Sequence, residues 1–501
     1  MKVIWFEVIM GKYSVPAEIR AMRPEGTQVK RQGNLFYVYE TSSTKKKFIQ
    51  DDGTFVWKTV TKSGKCIGSI TLENGYVPNR NRLSDDEITI LGYGDYAFAL
   101  MSSKTLGGLK SAFNTNDANQ IYVAAVITVV DGFTYMKDMG DVYDESFLSL
   151  KFPHVRVGED ALRTLYENLG KRGGRATSFM QSLIERSSKK VAFDGHVIAC
   201  TSEKNDLSEY GYKAKKLNSP QINWMTAYDV VSGKPIANEM FNGSDPDKTA
   251  VQQFFDRFTF SDTLFIVDRG FNTAADKGLM SENGNSYIVP MIQGRSDYEY
   301  VHSSIKINRR KNFIYDKDGY SSLIYYQEFL RDGKRYIAYV DTTRQSSERK
   351  TYVKNMQERK KGFTQEGLLE SETNFGLFML ETSDKGKTPK EVFSDYKSRW
   401  QIETFYNYVD NIVDFNALYQ HDYCRTQGLA FIIQVAGMVY HELKELAEKH
   451  NLSVKSAMRT LRGIKASKEK NTWKIKNAVK SKRTMAEELE VPLSPNIVSP
   501  A

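Results

Sequence analysis

The chain contains the apolar run Thr263-Leu-Phe-Ile-Val-Asp268, followed at once by Arg269-Gly270. A similar run, Lys190-Val-Ala-Phe-Asp194-Gly195, precedes it. β-Branched and aromatic residues dominate both runs and a turn signal ends each, so each predicts a buried strand. Strand-like residues 221–231 and a helical pattern over residues 248–258 lie between them. The order strand, strand, helix, strand predicts an α/β sheet.

Local composition predicts how the rest of the chain is divided into regions before and after this sheet. Short β-rich stretches with turn signals come first, a helical pattern follows, and hairpin signals return before a long helical tract that begins at Pro389. We expect a β-rich module at 1–90, a helical region at 91–187, the first part of an α/β core at 188–294, a β-rich insertion at 295–375, the second part of the core at 376–445 and a basic helical tail at 446–501.

The positive charge is concentrated near the C-terminal end. The formal net charge is +9, and residues 444–483 alone hold thirteen basic and three acidic residues. Hydrophobic residues make up 40% of the chain, which excludes disorder as its main state. A basic segment containing Trp473 is typical of a nucleic-acid-binding surface, and a solvated terminal helix is an equally good interpretation.

Cysteine usage and hydropathy indicate the compartment. Cys66, Cys200 and Cys424 are far apart and form no CxxC pair, so a reducing environment fits. The apolar stretch at residues 1–10 is interrupted by an acid and favours a first strand over a targeting peptide. The later apolar run 429–440 is too short to cross a bilayer about 30 Å thick. We expect a cytoplasmic protein without a membrane span.

Three acidic residues are candidates for the chemistry. Asp194 lies within one apolar strand, Asp268 ends another, and Glu403 lies on a helix predicted over residues 390–409. Each has an ordinary explanation as a turn, a loop or a surface ion pair. Together, carboxylates on adjacent strands and on a helix packed across them could bind two hard divalent cations such as Mg²⁺ or Mn²⁺. Two such ions suit phosphoryl transfer.

The spacing around Glu403 adds specificity. Tyr396, Arg399 and Glu403 stand at i, i+3 and i+7, so they should share one helix face. Arginine offers a planar, bidentate donor for phosphate and tyrosine offers a hydroxyl. A plain amphipathic helix would show the same spacing.

At this point the sequence resembles a known family. Tyr396-Lys-Ser-Arg399-Trp400-Gln-Ile402-Glu403 is similar to the YREK signature of DDE transposases from bacterial insertion sequences, in the group with a β-rich insertion before the glutamate. Phe193-Asp194-Gly195 and Val267-Asp268-Arg269-Gly270-Phe271 resemble that family's two aspartate motifs. Tyr228-Asp229, Ser232-Gly233, Pro235 and Gly243 resemble its middle hairpin. The resemblance covers roughly residues 90 to 445 and implies a ribonuclease-H-like core interrupted by the insertion.

The resemblance also implies roles for individual residues. Asp194, Asp268 and Glu403 would be the catalytic triad that binds two Mg²⁺ or Mn²⁺ ions. Tyr396 and Arg399 would contact DNA phosphates, and Arg269 and Trp400 would bind DNA beside them. The partners would be double-stranded DNA at the element ends and the target, bound by a homodimer without ATP, near the bacterial nucleoid. Residues 1–90 and the helical region would recognise the ends.

The chain departs from the family pattern at two places. The signature lysine should fall seven residues after Glu403, where this chain has Asp410, and an acid cannot replace a lysine at phosphate. The segment 295–375 holds no tryptophan, whereas relatives can use one to hold a flipped base. Its tyrosines could stack on a base instead.

Other interpretations stay open or are excluded by motif. His196 lies two residues beyond Asp194, on the same strand face, and is a weaker candidate metal ligand. The sequence has no GxxxxGK[ST] loop for ATP and no GxSxG elbow for a serine hydrolase. A metal-dependent nuclease that never joins DNA, and a catalytically silent DNA-binding protein derived from a transposase, are the two alternatives.

Overall fold

The computed structural model describes residues 15–49, 55–73, 75–79, 90–200, 202, 204–211, 219–245, 247–317, 319–411, 417–418, 421–469 and 472–493. The strand expected at residues 1–10 lies outside these ranges. The chain divides into two compact units, Met1–Ile90 and Leu91–Ala501.

The first unit is an antiparallel sheet with one short helix. Its helix α1 (Ala17–Ala21) precedes the strands β1 (Thr27–Gln32), β2 (Leu35–Ile49), β3 (Phe55–Thr71) and β4 (Gly75–Pro78), which lie in the order β1-β2-β3-β4. Ile19, Val29, Val38 and Ile70 form its small core. Strands β2 and β3 are far longer than β1 and β4, so their outer halves pair only with each other among the described residues.

The second unit begins with a helical layer. Strand β5 (Ile90–Gly92) leads into α2 to α8, which occupy Gly94–Ala99, Ser103–Ala112, Thr115–Asp131, Met139–Asp144, Leu148–Lys151, Glu159–Leu169 and Arg175–Glu185. Helix α4 is apolar almost all round from Ala118 to Val130 and is buried accordingly.

A large mixed sheet follows, and it confirms the predicted α/β class. The elements are β6 (Lys190–Cys200), β7 (Gln221–Asp229), β8 (Lys234–Asn242), α9 (Asp247–Arg257), β9 (Leu264–Val267), α10 (Ala274–Leu279) and β10 (Ser286–Pro290). Strand β6 is antiparallel to β7 and parallel to β9, and β9 is parallel to β10. Strand β6 runs five residues beyond the predicted end at Gly195, so Asp194 lies inside the strand.

Residues 295–375 extend this same sheet. They contribute α11 (Ser296–Ser303), β11 (Asn312–Lys317), β12 (Tyr320–Arg331), β13 (Lys334–Asp341), α12 (Thr342–Gln357) and α13 (Gln365–Ser371). Strand β13 pairs with β14 (Leu377–Thr382), which pairs in turn with β10. The expected turn at Asp332-Gly333 joins β12 to β13, and both of its residues have positive φ, as a tight hairpin turn requires.

The prediction of one continuous helix over residues 390–409 is wrong. Two helices, α14 (Pro389–Ser398) and α15 (Trp400–Asn411), meet at Arg399. The break arises because the Arg399 and Ile402 amides bond to carbonyls three residues back, at Tyr396 and Arg399, rather than four. Apolar periodicity continues through the junction, so it could not reveal the change.

A long buried helix connects the layers. After β15 (Ala417–Leu418), helix α16 (Tyr423–Glu448) packs against α4, α7 and β8. At Gly428 the two backbones are so close that a Cβ would lie 2.2 Å from the Tyr166 carbonyl oxygen of α7. No helix in the described ranges is long and apolar enough to span a membrane.

The expected purely helical tail is also wrong. Between α17 (Val454–Leu461) and α18 (Lys480–Glu488) the chain forms a hairpin of β16 (Lys465–Glu469) and β17 (Thr472–Lys476), and β16 pairs with β5. The run Thr472-Trp-Lys-Ile-Lys476 alternates polar and apolar residues with the period of a strand, and Trp473 is buried. That alternation was a local signal for the hairpin.

Candidate active site

The two predicted aspartates lie side by side on the sheet. Strands β6 and β9 run parallel with Phe193 opposite Val267. Asp194 and Asp268 directly follow this pair, so they occupy equivalent positions on the two neighbouring strands. Neighbouring strands in a sheet lie about 4.8 Å apart. Strand β9 ends there, and Asp268 precedes the 3-10 turn Arg269–Phe271.

Asp194 is a half-buried carboxylate in an acidic environment, with 21% of its side chain exposed. Burial raises its pKa to about 6, with further upward contributions from Asp268 and Glu403, while Arg399 and the Gly195 amide act in the opposite direction. The Gly195 amide donates to Asp194 Oδ1 at 2.8 Å. The proximity of the three acids makes a cation at this place favourable.

Arg399 brings Asp194 and Glu403 together. Its guanidinium lies 3.4 Å from Asp194 Oδ2 and 2.5 Å from Glu403 Oε1. The Arg399 side chain is 16% exposed and that of Glu403 is 53% exposed, so the glutamate reaches the site from the solvent side. The position of Arg399 at the α14–α15 junction, one turn before Glu403, produces this bridge.

The remaining predicted DNA-binding residues lie around the acids. Tyr396 is half-buried, and burial raises the pKa of its phenol, with Asp268 and Glu403 contributing. Arg269 is exposed beside Asp268, and Trp400 is 45% exposed beside Arg399. Tyr396 therefore interacts electrostatically with the acids, whereas Arg269 and Trp400 are exposed residues next in sequence to Asp268 and Arg399.

Asp410 has a partner that sequence reasoning missed. Its Oδ1 lies 3.1 Å from His196 Nε2, and the His196 ring stacks on Tyr406 at 4.6 Å. The Tyr406 hydroxyl donates to the Asp194 backbone carbonyl at 2.9 Å. His196 thus faces Asp410 from the strand that carries Asp194. The same-face spacing of Asp194 and His196 was visible in the sequence, but the approach of α15 was not.

Two lysine contacts hold α14 against the sheet. Lys190 Nζ of β6 lies 2.7 Å from Asp395 Oδ1. Lys397 lies 3.9 Å from the buried Asp341 and over the rings of three aromatic residues, Tyr320, Phe378 and Phe393. Burial lowers the pKa of Lys397. These contacts fix the helix that presents Tyr396 and Arg399.

The donor set suits a hard divalent cation after one rearrangement. Within the described ranges, no group of three or more His, Cys, Asp or Glu side chains is placed to hold a metal ion as it stands. The geometry explains this, since the Arg399 guanidinium already bridges two of the three acids. Asp194 and Asp268 line a cleft of about 120 Å³, and Mg²⁺ typically uses one or two carboxylates plus water and phosphate. The residues fit such an ion if Arg399 moves aside.

Comparison with known proteins gives a match to a family model and a likeness to a solved structure. No curated protein matches the chain. Among solved structures, the piggyBac transposase in a synaptic complex with hairpin DNA, determined by cryo-EM, has 12% identity and a TM-score of 0.39 over 78% of this chain and 78% of that chain. Residues 185–419, just under half of the chain, match the family model of the transposase DDE domain, and this segment contains every predicted site residue.

Proposed function

We propose that the chain is a DNA transposase that cuts DNA at the ends of an insertion sequence and joins the freed 3′ hydroxyl to target DNA. The observation that carries the proposal is the meeting of Asp194, Asp268 and Glu403 around Arg399, inside the segment that matches the transposase DDE domain. Asp194 and Asp268 are held by backbone register, and Glu403 approaches from the next layer.

The three acids would hold two Mg²⁺ or Mn²⁺ ions. When bound, such ions supply electrostatic stabilisation of the attacking and leaving oxygens. The raised pKa of Asp194 supports this role, because a half-buried carboxylate beside other acids gains most from a nearby cation.

Arg399 would exchange partners during DNA binding. In the structure it contacts both Asp194 and Glu403. A DNA phosphate offers the same bidentate geometry, so the guanidinium can turn to the backbone and release both carboxylates. Tyr396 interacts with the acids, and the exposed Trp400 and Arg269 are next in sequence to Arg399 and Asp268, so all three would contact the strand being cut.

The core would be ribonuclease-H-like, formed by β6 to β10 with α15 packed against β6. Residues 295–375 would be the insertion, although their strands continue the core sheet. Residues 1–90 and the helical region would bind the terminal inverted repeats. The active complex would contain at least two copies to pair two ends, and exchange of one phosphodiester for another would need no ATP.

The test is cleavage and joining by purified protein on a duplex that carries the end of its own element, with Mg²⁺ or Mn²⁺. Wild type is compared with Asp194→Ala and Glu403→Ala. We expect joined products from wild type alone. Cutting without joining, even when a pre-cut 3′ end and target are supplied, would favour a nuclease. Specific binding without cutting would favour a silent DNA-binding protein.

A further inference from the structure

The outer halves of β2 and β3 form a two-stranded ribbon, which we call the arm. It comprises residues 41–49 and 55–63, which pair only with each other among the described residues, from Thr41 opposite Ser63 to Ile49 opposite Phe55. Nine extended residues span roughly 27 Å. An isolated two-stranded ribbon is marginally stable in water, so a ribbon of this length requires an explanation.

The arm and its base carry lysines on both strands. Strand β2 supplies Lys45, Lys46 and Lys47, and β3 supplies Lys58, Lys62 and Lys65, and all six side chains are exposed. The described residues 41–49 and 55–65 contain no acid, whereas Asp51 and Asp52 fall in the connection outside the described residues. Each strand therefore presents its own row of positive charge.

The lysines are placed where they repel one another. Lys46 lies directly opposite Lys58, and Lys62 follows on the same face four residues along β3. Like charges at opposed positions destabilise an antiparallel pair. A polyanion bound along this face would remove that cost. Protection of a sheet edge against aggregation also uses lysine, but it does not require two lysines opposite each other.

Aromatic rings and hydroxyls complete the arm. Trp57 is 65% exposed and Phe55 is 56% exposed, with the Lys47 ammonium 3.3 Å from the Phe55 ring centroid. The Ser43 and Thr61 hydroxyls lie 3.0 Å apart across the strands. Lysine and hydroxyl side chains are among those that contact DNA phosphates.

We infer that the arm lies in the major groove of duplex DNA, with the lysine row of each strand on one phosphate wall. The major groove, about 12 Å wide, admits a two-stranded ribbon, whereas the minor groove is about half as wide. Only a duplex offers two phosphate walls that match two lysine rows. This inference rests on the proposed function in that it supplies a DNA contact of a transposase, and it concerns the first unit alone.

The experiment measures affinity of the full chain for duplex DNA as a function of salt, by fluorescence anisotropy. Wild type is compared with Lys46→Gln/Lys58→Gln/Lys62→Gln. The control, Lys306→Gln/Lys311→Gln/Lys350→Gln, removes the same charge from exposed positions outside the regions assigned to DNA binding. Thermal unfolding verifies that all three proteins fold.

We expect the arm variant to lower the salt slope by about 3, at about 1 for each lysine, and to weaken binding equally for unrelated sequences. The control should keep most of the slope. Methylation of guanine N7, which lies in the major groove, should hinder binding by wild type but not by the arm variant.

Three results would overturn the inference: an unchanged slope in the arm variant, an equal loss in the control, or arm-dependent binding that is stronger to duplex RNA or to phosphatidylserine vesicles. These outcomes are separable from the proposed function. Wild type that cuts and joins DNA while the arm variant keeps its slope would leave the transposase proposal intact. Arm-dependent DNA binding without metal-dependent cutting would support the inference about the arm and contradict the transposase proposal.

Discussion

Two carboxylates of this chain, the half-buried Asp194 and the buried Glu239, each contact an arginine, but they have different surroundings. Asp194 lies 3.4 Å from Arg399, and Glu239 lies 3.0 Å from Arg257. Burial raises the pKa of both, to about 6 for Asp194 and about 7 for Glu239. By burial and ion pairing alone, either residue could be chosen as a functional acid.

The neighbours separate the two sites. Around Asp194 the other charged groups are acids, Asp268 and Glu403, and a cleft is adjacent. Around Glu239 they are cations, Arg257 and Arg172, and the Tyr423 hydroxyl donates to its Oε1 at 3.3 Å. We infer that excess negative charge beside a cleft distinguishes a site prepared for cations from a charge-balanced structural pair.

The largest expected effect is on cleavage. Asp194→Asn and Glu239→Gln each replace a carboxylate with its neutral isostere. We expect the first to reduce metal-dependent DNA cleavage by at least about a hundredfold, since loss even of an outer-shell partner costs 10–100-fold. The second should stay within about twofold of wild type. Equal losses of cleavage in the two variants would contradict the distinction between the Asp194 and Glu239 sites.

The arginines provide the next contrast. Arg399→Gln should reduce cleavage yet bind Mn²⁺ about tenfold more tightly, because a positive charge next to the acids is removed. Arg257→Gln should leave cleavage per folded molecule unchanged and lower the free energy of unfolding by about 3 kcal/mol, since the buried Glu239 loses the arginine that directly contacts it. Calorimetric Mn²⁺ titration and urea unfolding measure the two effects. Weaker Mn²⁺ binding by Arg399→Gln would contradict the inferred exchange.

A smaller effect concerns pH. The pKa of Glu239 is about 7 in the folded chain against its ordinary 4.5, so the folded state binds this proton more tightly. Its contribution to stability is therefore complete below pH 4.5 and is lost as the pH rises to about 7, by up to roughly 3 kcal/mol. Glu239→Gln should remove this part of the pH dependence in unfolding measurements from pH 4 to 8. The same slope in both proteins would exclude this role of Glu239.

The smallest effect tests how α14 is positioned. Lys397→Met keeps the bulk of the side chain among Tyr320, Phe378 and Phe393 but removes its charge beside Asp341. We expect a modest loss of stability and a few-fold loss of cleavage with unchanged Mn²⁺ binding. Lys397→Arg should restore most of the cleavage. Failure of the arginine to do so would indicate that the compact ammonium is needed.

Local patterns predicted those parts of the fold that local signals determine. The runs around Asp194 and Asp268 predicted strands, and the structure has them as β6 and β9. The proximity of the two aspartates depends on parallel pairing between distant strands, which the predicted α/β sheet and the resemblance to a family suggested but no local pattern specifies. The assignment of Asp194, Asp268 and Glu403 as catalytic residues stays a prediction.

Long-range contacts account for the features that the sequence could not predict. Pairing of β13 with β14 makes residues 295–375 part of the main sheet, and no local periodicity encodes which strand a hairpin joins. The His196–Asp410 contact needs α15 to cross β6. The break at Arg399 is a change of hydrogen-bond pattern within continuous helical periodicity, and Arg399, which contacts Asp194, lies at this break.

The most direct test of the central claim counts bound Mn²⁺ by electron paramagnetic resonance in the presence of element-end DNA. Wild type would be compared with Asp194→Asn, Asp268→Asn and Glu403→Gln, and with Glu239→Gln as the charge-balanced control. We predict that wild type and Glu239→Gln bind Mn²⁺ alike and that each of the other three variants loses bound ion. Unchanged Mn²⁺ binding in those three variants would show that the acids around Arg399 are not the metal site.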